Sequence, residues 1–140
     1  MQSRPLLAAK PAARTFSVVL ADDTHDLREL MRAWLEEAGH AVITASSGRE
    51  IVDLFHRRRF DLLVTDILMP DGDGWDAIAQ VQRRRPETRI LAMSGGAREM
   101  PASAVLRAAH AAGALGVLHK PFCRPDFFAA LSRVMRDGVR

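Results

Sequence analysis

Five polar side chains stand at or just past the ends of short apolar runs. They are Asp22 and Asp23 after the first run, Asp66 after the third, Ser94 after the fourth and Lys120 after the fifth. Three carboxylates brought together with no opposite charge between them would repel one another. A hard divalent cation with oxygen ligands removes that repulsion, and a small carboxylate set that leaves water positions suits Mg²⁺ better than Ca²⁺. The residue types therefore predict a Mg²⁺ site, if folding brings these run ends together.

Lys120 and Ser94 indicate the reaction that such a site would support. An ammonium group and a hydroxyl are the groups expected around a phosphoryl oxygen rather than around a metal ion. Lys120 is one of only two lysines among the 20 basic residues. A compact ammonium fits a tight pocket better than the guanidinium fork that this chain uses elsewhere. The combination favours phosphoryl transfer.

The elements that must position these groups alternate along the chain. Strands are expected at about 16–21, 41–45, 61–65, 89–93 and 114–118, and helices at about 27–38, 47–58, 75–85, 101–112 and 126–136. This alternation predicts an α/β fold: a doubly wound, five-stranded parallel sheet with five helices on its two faces. We expect the flavodoxin-like order 2-1-3-4-5, one of the known orders of such sheets, in which the first and third strands are neighbours. Ligands bind beyond the carboxyl ends of such strands, so the polar side chains should share one edge of the sheet.

Length and composition indicate one folded domain. The chain has 140 residues, of which 48% are apolar and 26% charged, and that size matches a single core. No apolar run is long enough to span a membrane, and Cys123 alone cannot form an internal disulfide. A cytoplasmic protein without a membrane partner is expected.

The positive net charge is concentrated at the start of the chain. Arg4, Lys10 and Arg14 are the only charged residues before Phe16, and the remaining 17 basic residues equal the 17 acidic ones. Residues 1–15 are predicted to be a flexible basic extension, followed by the domain at 16–140. The arginine clusters at 57–59 and 83–85 come at helix ends, where solvated cations complement the helix dipole. Nucleic acid is therefore an unlikely partner on sequence grounds.

The motifs together resemble a known family across about residues 16–138. Asp22-Asp23, the stretch 66–74, Ser94 and Lys120-Pro121-Phe122 are similar to the receiver domain of two-component response regulators. The resemblance implies that Asp66 accepts a phosphoryl group from a histidine kinase or a histidine phosphotransfer protein, with Ser94 and Lys120 as the other catalytic residues. It also implies that Asp23, Asp66 and the Leu68 carbonyl bind Mg²⁺ directly, that Asp22 binds it largely through water, and that Lys120-Pro121 is a cis peptide.

The same resemblance implies a switch in which Ser94 moves toward the phosphoryl group and an aromatic residue of the fifth strand turns inward. Val117 occupies the position of that aromatic residue, so the chain lacks a ring to rotate. We expect motion of the 94–100 loop and the helix after it to carry the signal instead. Leu68 and Gly96 flank the reaction centre without a group that orients water, which predicts slow loss of the phosphoryl group.

The leading interpretation is a stand-alone receiver, not an enzyme, that signals by binding an unidentified downstream protein or by passing its phosphoryl group on. These two roles are indistinguishable from the sequence. An aspartate-nucleophile phosphatase of the haloacid dehalogenase type is an alternative, but Leu68 stands where that chemistry needs a second acid. A DNA-binding regulator that uses the basic extension is another, which the neutral domain and the lack of a helix-turn-helix signal disfavour.

Overall fold

The computed structural model describes residues 14–69, 72–95 and 101–137. Its parallel sheet contains strands β1 (Ser17–Ala21), β2 (Ala41–Ala45), β3 (Leu62–Asp66), β6 (Arg89–Ser94) and β7 (Gly116–His119) in the order β2-β1-β3-β6-β7. All four pairings between neighbours are parallel. The predicted doubly wound sheet and its strand order are confirmed.

Five helices are described, and each follows a strand or the short hairpin. They are α1 (His25–Glu37), α2 (Gly48–Arg57), α3 (Gly74–Arg84), α4 (Ala102–Ala112) and α5 (Arg124–Asp137). At most helix ends, the observed first or last residue differs from the expected one by one or two positions. Most of the predicted extension, residues 1–13, and most of the predicted signalling loop, residues 96–100, lie outside the described part of the chain. No described helix is long and apolar enough to cross a membrane.

The strands bury side chains on both faces, which explains their nearly continuous apolar sequence. Alternate residues of a strand point to opposite faces. On one face, Val18 and Leu20 pack with residues of α1 and α5, namely Met31, Leu35, Phe127 and Leu131. On the other face, Val19 and Ala21 pack with residues of α2, α3 and α4, namely Ile51, Phe55, Ile78 and Val105. Two core layers therefore hold the central strands, and the polar strand ends, in fixed positions.

A short hairpin after β3 was not expected from the sequence. Strands β4 (Leu68–Met69) and β5 (Gly72–Asp73) pair in antiparallel fashion immediately before α3. The N–H of Gly74 donates to the Ile67 carbonyl over 2.7 Å. A Cβ at position 74 would lie 2.3 Å from the Asp66 carbonyl oxygen, so only glycine fits there. Pairs of two residues are too short to produce a recognisable alternation of apolar and polar residues.

Candidate functional site

The acidic pair follows β1 and precedes α1. The N–H of Asp22 donates to the Ala45 carbonyl over 3.2 Å, which continues the β1–β2 ladder by one residue. Its Oδ1 accepts the N–H of Thr24 over 2.8 Å. The Asp22 side chain is fully buried, whereas Asp23 is exposed. The two neighbouring carboxylates therefore lie in different environments, one locked into the fold and one open to solvent.

Lys120 joins the first and third strands at this edge. Its N–H donates to the Ser94 carbonyl over 2.8 Å, which fixes the backbone just past β7 against the end of β6. Its Nζ donates to Asp22 Oδ2 over 2.8 Å and to Asp66 Oδ2 over 2.7 Å. Asp66, the last residue of β3, is 7% exposed. One ammonium group thus holds two buried carboxylates together across 98 and 54 residues of sequence.

Gly95 provides the space that the lysine stem occupies. A Cβ at position 95 would lie 2.7 Å from Lys120 Cδ. The peptide bond between Lys120 and Pro121 is cis, as the family resemblance implies. Sequence reasoning placed Gly95 only in a loop, because the close approach depends on a residue that is distant in the sequence.

The electrostatics of the pair follow from burial and mutual contact. Burial raises the pKa of Asp66 above its ordinary value, although the hydrogen bond and charge of Lys120 and the N–H of Leu68 oppose the rise. Burial acts to lower the pKa of Lys120, but the hydrogen bonds to Asp22 and Asp66 and the negative charges of these two groups together outweigh that effect and leave the pKa raised. Lys120 is therefore a permanent cation at neutral pH, beside a carboxylate that is more basic than usual.

Three carboxylates at this edge form an oxygen-rich cluster. Asp22, Asp23 and Asp66 each offer an oxygen, and these oxygens lie within 4.8 Å of one another. Hard cations such as Mg²⁺ prefer oxygen ligands of this kind. Lys120 offsets part of the combined negative charge but leaves the exposed carboxylate of Asp23 without that contact. The donor set therefore fits a divalent cation.

Ser94 and Leu68 complete the immediate surroundings of Asp66. Ser94 ends β6, is 8% exposed, and follows Met93, the residue that pairs with Asp66 in the β3–β6 register. The N–H of Leu68 donates to Asp66 Oδ1 over 3.2 Å. The Leu68 side chain is 57% exposed, so a large apolar group faces solvent two residues after Asp66.

Val117 lies in β7 and packs, partly buried, against the core layer that contains α4. It pairs with Ala92 in the β6–β7 register, two residues before the end of β6. Its position is that of a packing residue, and its side chain has no ring that could rotate. Transmission of the signal by the 94–100 loop and the helix after it stays a prediction.

Arg28 is a site residue that the sequence reasoning missed. Its Nη1 donates to the Asp22 carbonyl over 2.8 Å from the first turns of α1. A cation near the amino end of a helix opposes the helix dipole. That unfavourable placement was the one sequence signal that could have identified Arg28 as a site residue. The contact with the Asp22 carbonyl explains the placement.

The family model of the response regulator receiver domain matches residues 18–132. The chain therefore belongs to the response regulator receiver domain family. Receivers of this family bind Mg²⁺ through acidic residues and work with histidine kinases, and the aspartate cluster lies where the fold places such a site.

Individual relatives agree with this assignment. The chain is 31% identical to the chemotaxis protein CheY of Halobacterium salinarum over 118 residues, which cover 84% of this chain and 95% of that protein. The solved structure of the chemotaxis protein CheY4 of Vibrio cholerae superimposes with a TM-score of 0.76 at 29% identity, and the match covers 86% of this chain and 99% of that chain.

Other relatives are much longer than this chain. The DNA-binding transcriptional regulator NtrC of Azospirillum brasilense is 30% identical over 123 residues, which make up 88% of this chain and 25% of that protein. The transcription factor SKN7 of Saccharomyces cerevisiae is 32% identical over 124 residues, or 19% of its length. The chain thus spans a quarter or less of these relatives.

Proposed function

We propose that the protein is a single-domain response regulator that accepts a phosphoryl group on Asp66 in a Mg²⁺-dependent reaction. The observation that carries this proposal is the ammonium group of Lys120, which contacts both Asp22 and Asp66 within 2.8 Å beside a cluster of three carboxylates. A structural ion pair needs one acid and one base. Here a third acid, Asp23, remains exposed at the same place.

The reaction forms one bond and breaks one bond. An oxygen of the Asp66 carboxylate attacks phosphorus in line, the bond from phosphorus to the donor breaks, and the donor group leaves with the bonding electrons. Lys120 gives up part of its contact with Asp66 and donates to an equatorial oxygen of the transferred group. The hydroxyl of Ser94 donates to another of these oxygens.

The carboxylates of Asp22, Asp23 and Asp66, with the backbone carbonyl of Leu68, are the groups that would hold Mg²⁺. When bound, the ion neutralises charge on the transferred phosphoryl oxygens. The buried Asp22 is already held by Lys120 and by the N–H of Thr24. Asp23 is the most accessible of the three carboxylates, and this supports a direct role for Asp23 and a mainly indirect one for Asp22.

A histidine kinase or a histidine phosphotransfer protein supplies the phosphoryl group in this proposal, and the modified protein then binds a downstream protein or passes the group on. The near-complete overlap with the CheY of Halobacterium salinarum supports a receiver domain at 16–140. We place this domain in the cytoplasm, and the equal numbers of acidic and basic residues after position 15 argue against nucleic acid as a partner. The enzymatic activity is limited to the protein's own phosphorylation and dephosphorylation.

Incubation with acetyl phosphate and Mg²⁺ tests the acceptor. Wild type should gain about 80 Da, the mass of one phosphoryl group, in intact-mass spectrometry. Asp66→Asn should gain none. Asp53→Asn, which alters an exposed aspartate on α2, should behave like wild type. A mass gain in Asp66→Asn equal to that of wild type would remove Asp66 from this role.

A labelled phosphoryl group on the protein distinguishes the two signalling roles, onward transfer and binding of a downstream protein. Phosphorylated protein is mixed with candidate histidine phosphotransfer proteins, and the loss of its label is timed. Rapid transfer to one of them supports a relay intermediate. Retention of the label, together with phosphorylation-dependent capture of a protein, supports a regulator that acts by binding.

A further inference from the structure

A cavity lies at the end of the sheet opposite to Asp66. Its volume is about 420 Å³, and it is lined by Arg14, Phe16, Arg89, Met135 and Arg136. Phe16 directly precedes β1, Arg89 begins β6, and Met135 and Arg136 belong to the last turn of α5. The cavity therefore opens at the amino ends of the same strands whose carboxyl ends lead to Asp22 and Ser94.

The described residues that line this cavity carry charge of one sign. Three of its five described lining residues are arginines, and none of the five is acidic. Guanidinium groups stay charged at any ordinary pH, so gathering three of them creates a positive potential and mutual repulsion. The carboxyl end of α5 accounts for Arg136 as a cation that complements the helix dipole. It does not account for Arg14 and Arg89, which lie on other parts of the chain.

The acidic residue whose backbone adjoins this cavity contacts Ser17 through one carboxylate oxygen. Asp61 adjoins Arg89, because its carbonyl accepts the Arg89 N–H over 3.1 Å. Its carboxylate, however, accepts the N–H and the hydroxyl of Ser17 over 2.8 and 3.1 Å. Arg89 also has interactions within the chain, and a guanidinium has five N–H donors, so these interactions are compatible with further hydrogen bonds to an anion.

The size and the apolar walls indicate what kind of anion fits. Phe16 stacks on His40 with ring centroids 5.1 Å apart, so its ring is held in place, and the Arg14 guanidinium lies 6.0 Å from the centre of that ring. Met135 adds a second apolar wall. Sites for small organic ligands measure roughly 300–1,000 Å³, and an inorganic phosphate ion would fill little of this cavity.

We propose that this cavity binds a nucleotide. The phosphates pair with Arg14, Arg89 and Arg136, because guanidinium groups match phosphate geometry with two parallel hydrogen bonds. The base lies against the apolar walls made by Phe16 and Met135. This site is independent of the phosphoryl-acceptor site, shares no residue with it and does not need Mg²⁺.

Calorimetric titration of the full chain with ATP tests the proposal. A chelator is present throughout, so that no nucleotide is held at the acidic edge through Mg²⁺. ATP should bind at least about tenfold more tightly than adenosine and than tripolyphosphate, since each of these lacks one half of the recognised group. Binding of tripolyphosphate as tight as that of ATP would overturn the nucleotide assignment. So would equal binding of adenosine and ATP.

Variants locate the site. Arg14 and Arg136 are exposed, so Arg14→Gln and Arg136→Gln should keep the fold, which circular dichroism verifies. Each should weaken ATP binding by about tenfold or more. Arg133→Gln removes an exposed arginine of the same helix that does not line the cavity, and it should change the affinity by less than about twofold.

Three results would refute the proposal. One is the absence of ATP binding at millimolar concentration. Another is an equal loss of affinity in Arg133→Gln and Arg136→Gln. The third is a set of ATP-induced NMR shifts confined to the surroundings of Asp22 and Asp66, with none at Phe16 or Met135.

Discussion

The two ends of the sheet gather opposite charges by different means. At the carboxyl ends of the strands, Asp22 and Asp66 are 0% and 7% exposed and share one lysine. At the amino ends, Arg14 and Arg136 are exposed and line a cavity together with Arg89, Phe16 and Met135. Short carboxylate side chains are placed by the strand ends themselves, whereas long arginine side chains adapt to what they bind. The acidic end is therefore suited to a reaction with fixed geometry, and the basic end to recognition of an anion.

The buried acidic end also carries an energetic cost. The raised pKa of Asp66 means that its ionised form is less favourable in the folded protein than in the unfolded chain. This contribution opposes folding at neutral pH, and it disappears as the pH falls and the carboxyl group is protonated. Lys120 offsets part of it. Because this cost arises from Asp66 at the acidic end, variants at the two ends should affect different measurements.

The largest expected effect is that of Lys120→Gln at the acidic end. Removal of one preorganised donor to a developing charge typically costs roughly 10²–10³ in rate, and Lys120 is the ammonium that contacts Asp66. The initial rate of mass gain with acetyl phosphate and Mg²⁺ should fall by about that factor.

Arg136→Gln, which removes a cation from the basic end, is the matched control. Its rate of phosphorylation should equal that of wild type. A similar loss of rate in both variants would mean that net charge, rather than the position of the ammonium group, controls the reaction. The separation of the two ends would then be lost.

Gly95→Ala should have the next largest effect. The added methyl would lie 2.7 Å from Lys120 Cδ, so the lysine stem must shift. Displacement of a catalytic group by about 1 Å can reduce a rate by as much as 100-fold. Stopped reactions with acetyl phosphate, analysed by intact mass, measure this loss.

Gly116→Ala provides the comparison. Its methyl would meet Val134 Cγ2 at 3.2 Å rather than Lys120, and we expect a change in the free energy of unfolding with little change in rate. If Gly95→Ala were phosphorylated as fast as wild type, the close approach of Gly95 to Lys120 would not contribute to the rate of phosphorylation.

Leu68→Asn should shorten the lifetime of the phosphoryl group. We expect the exposed leucine to keep water from the phosphoryl group on Asp66, while an amide at the same place can orient an attacking water. A change of roughly tenfold, equivalent to about 1.4 kcal/mol in the barrier, is expected in the decay of the phosphorylated mass.

Leu106→Asn alters another exposed leucine, on α4 and away from the site, and should leave the lifetime unchanged. An unaltered lifetime in Leu68→Asn would show that Leu68 does not control access of water.

The smallest expected effect is a pH dependence of stability at the basic end. Burial lowers the pKa of His40 from its usual 6.5, and its Nδ1 accepts the N–H of Phe16 over 3.0 Å. The unfolded chain therefore binds the proton more readily, so this contribution to stability is present above about pH 6.5 and is lost as the pH falls through the lowered pKa. Protonation also breaks the hydrogen bond, which is worth about 0.5–1.5 kcal/mol.

Denaturant unfolding of His40→Phe between about pH 7 and pH 5 measures this contribution. The loss of stability over that range should be smaller than in wild type by about the value of the hydrogen bond. His56→Phe alters an exposed histidine of α2 and should retain the wild-type slope. Identical slopes in wild type and His40→Phe would contradict the assignment to His40.

The alternation of apolar runs and amphipathic segments was sufficient to predict a doubly wound parallel sheet, because the type of each element depends on local periodicity. The strand order does not follow from periodicity, and the expected order was that of the flavodoxin-like fold. Element ends were less predictable. Asp66 pairs with Met93 and so belongs to β3, but a polar residue does not extend an apolar run. Likewise, the two-residue strands at Leu68–Met69 and Gly72–Asp73 are too short to show a period.

The site was predictable where its residues stand at strand ends, since parallel strands bring those ends together. Contacts that depend on the length of a side chain or on close packing in space were not predictable. The Arg28 contact with the Asp22 carbonyl and the close approach of Gly95 to Lys120 depend on where a helix and a lysine stem lie in space. Neither leaves a spacing that could be recognised along the chain.

The most direct test of the central claim is chemical identification of the phosphorylated residue. Protein treated with acetyl phosphate and Mg²⁺ is reduced with borohydride, which converts an aspartyl phosphate to homoserine, and the position is determined by peptide sequencing in a mass spectrometer. We predict homoserine at position 66, dependent on both acetyl phosphate and Mg²⁺. Homoserine at Asp22 or Asp23, or its absence at position 66 in protein that has gained the phosphoryl mass, would contradict the account.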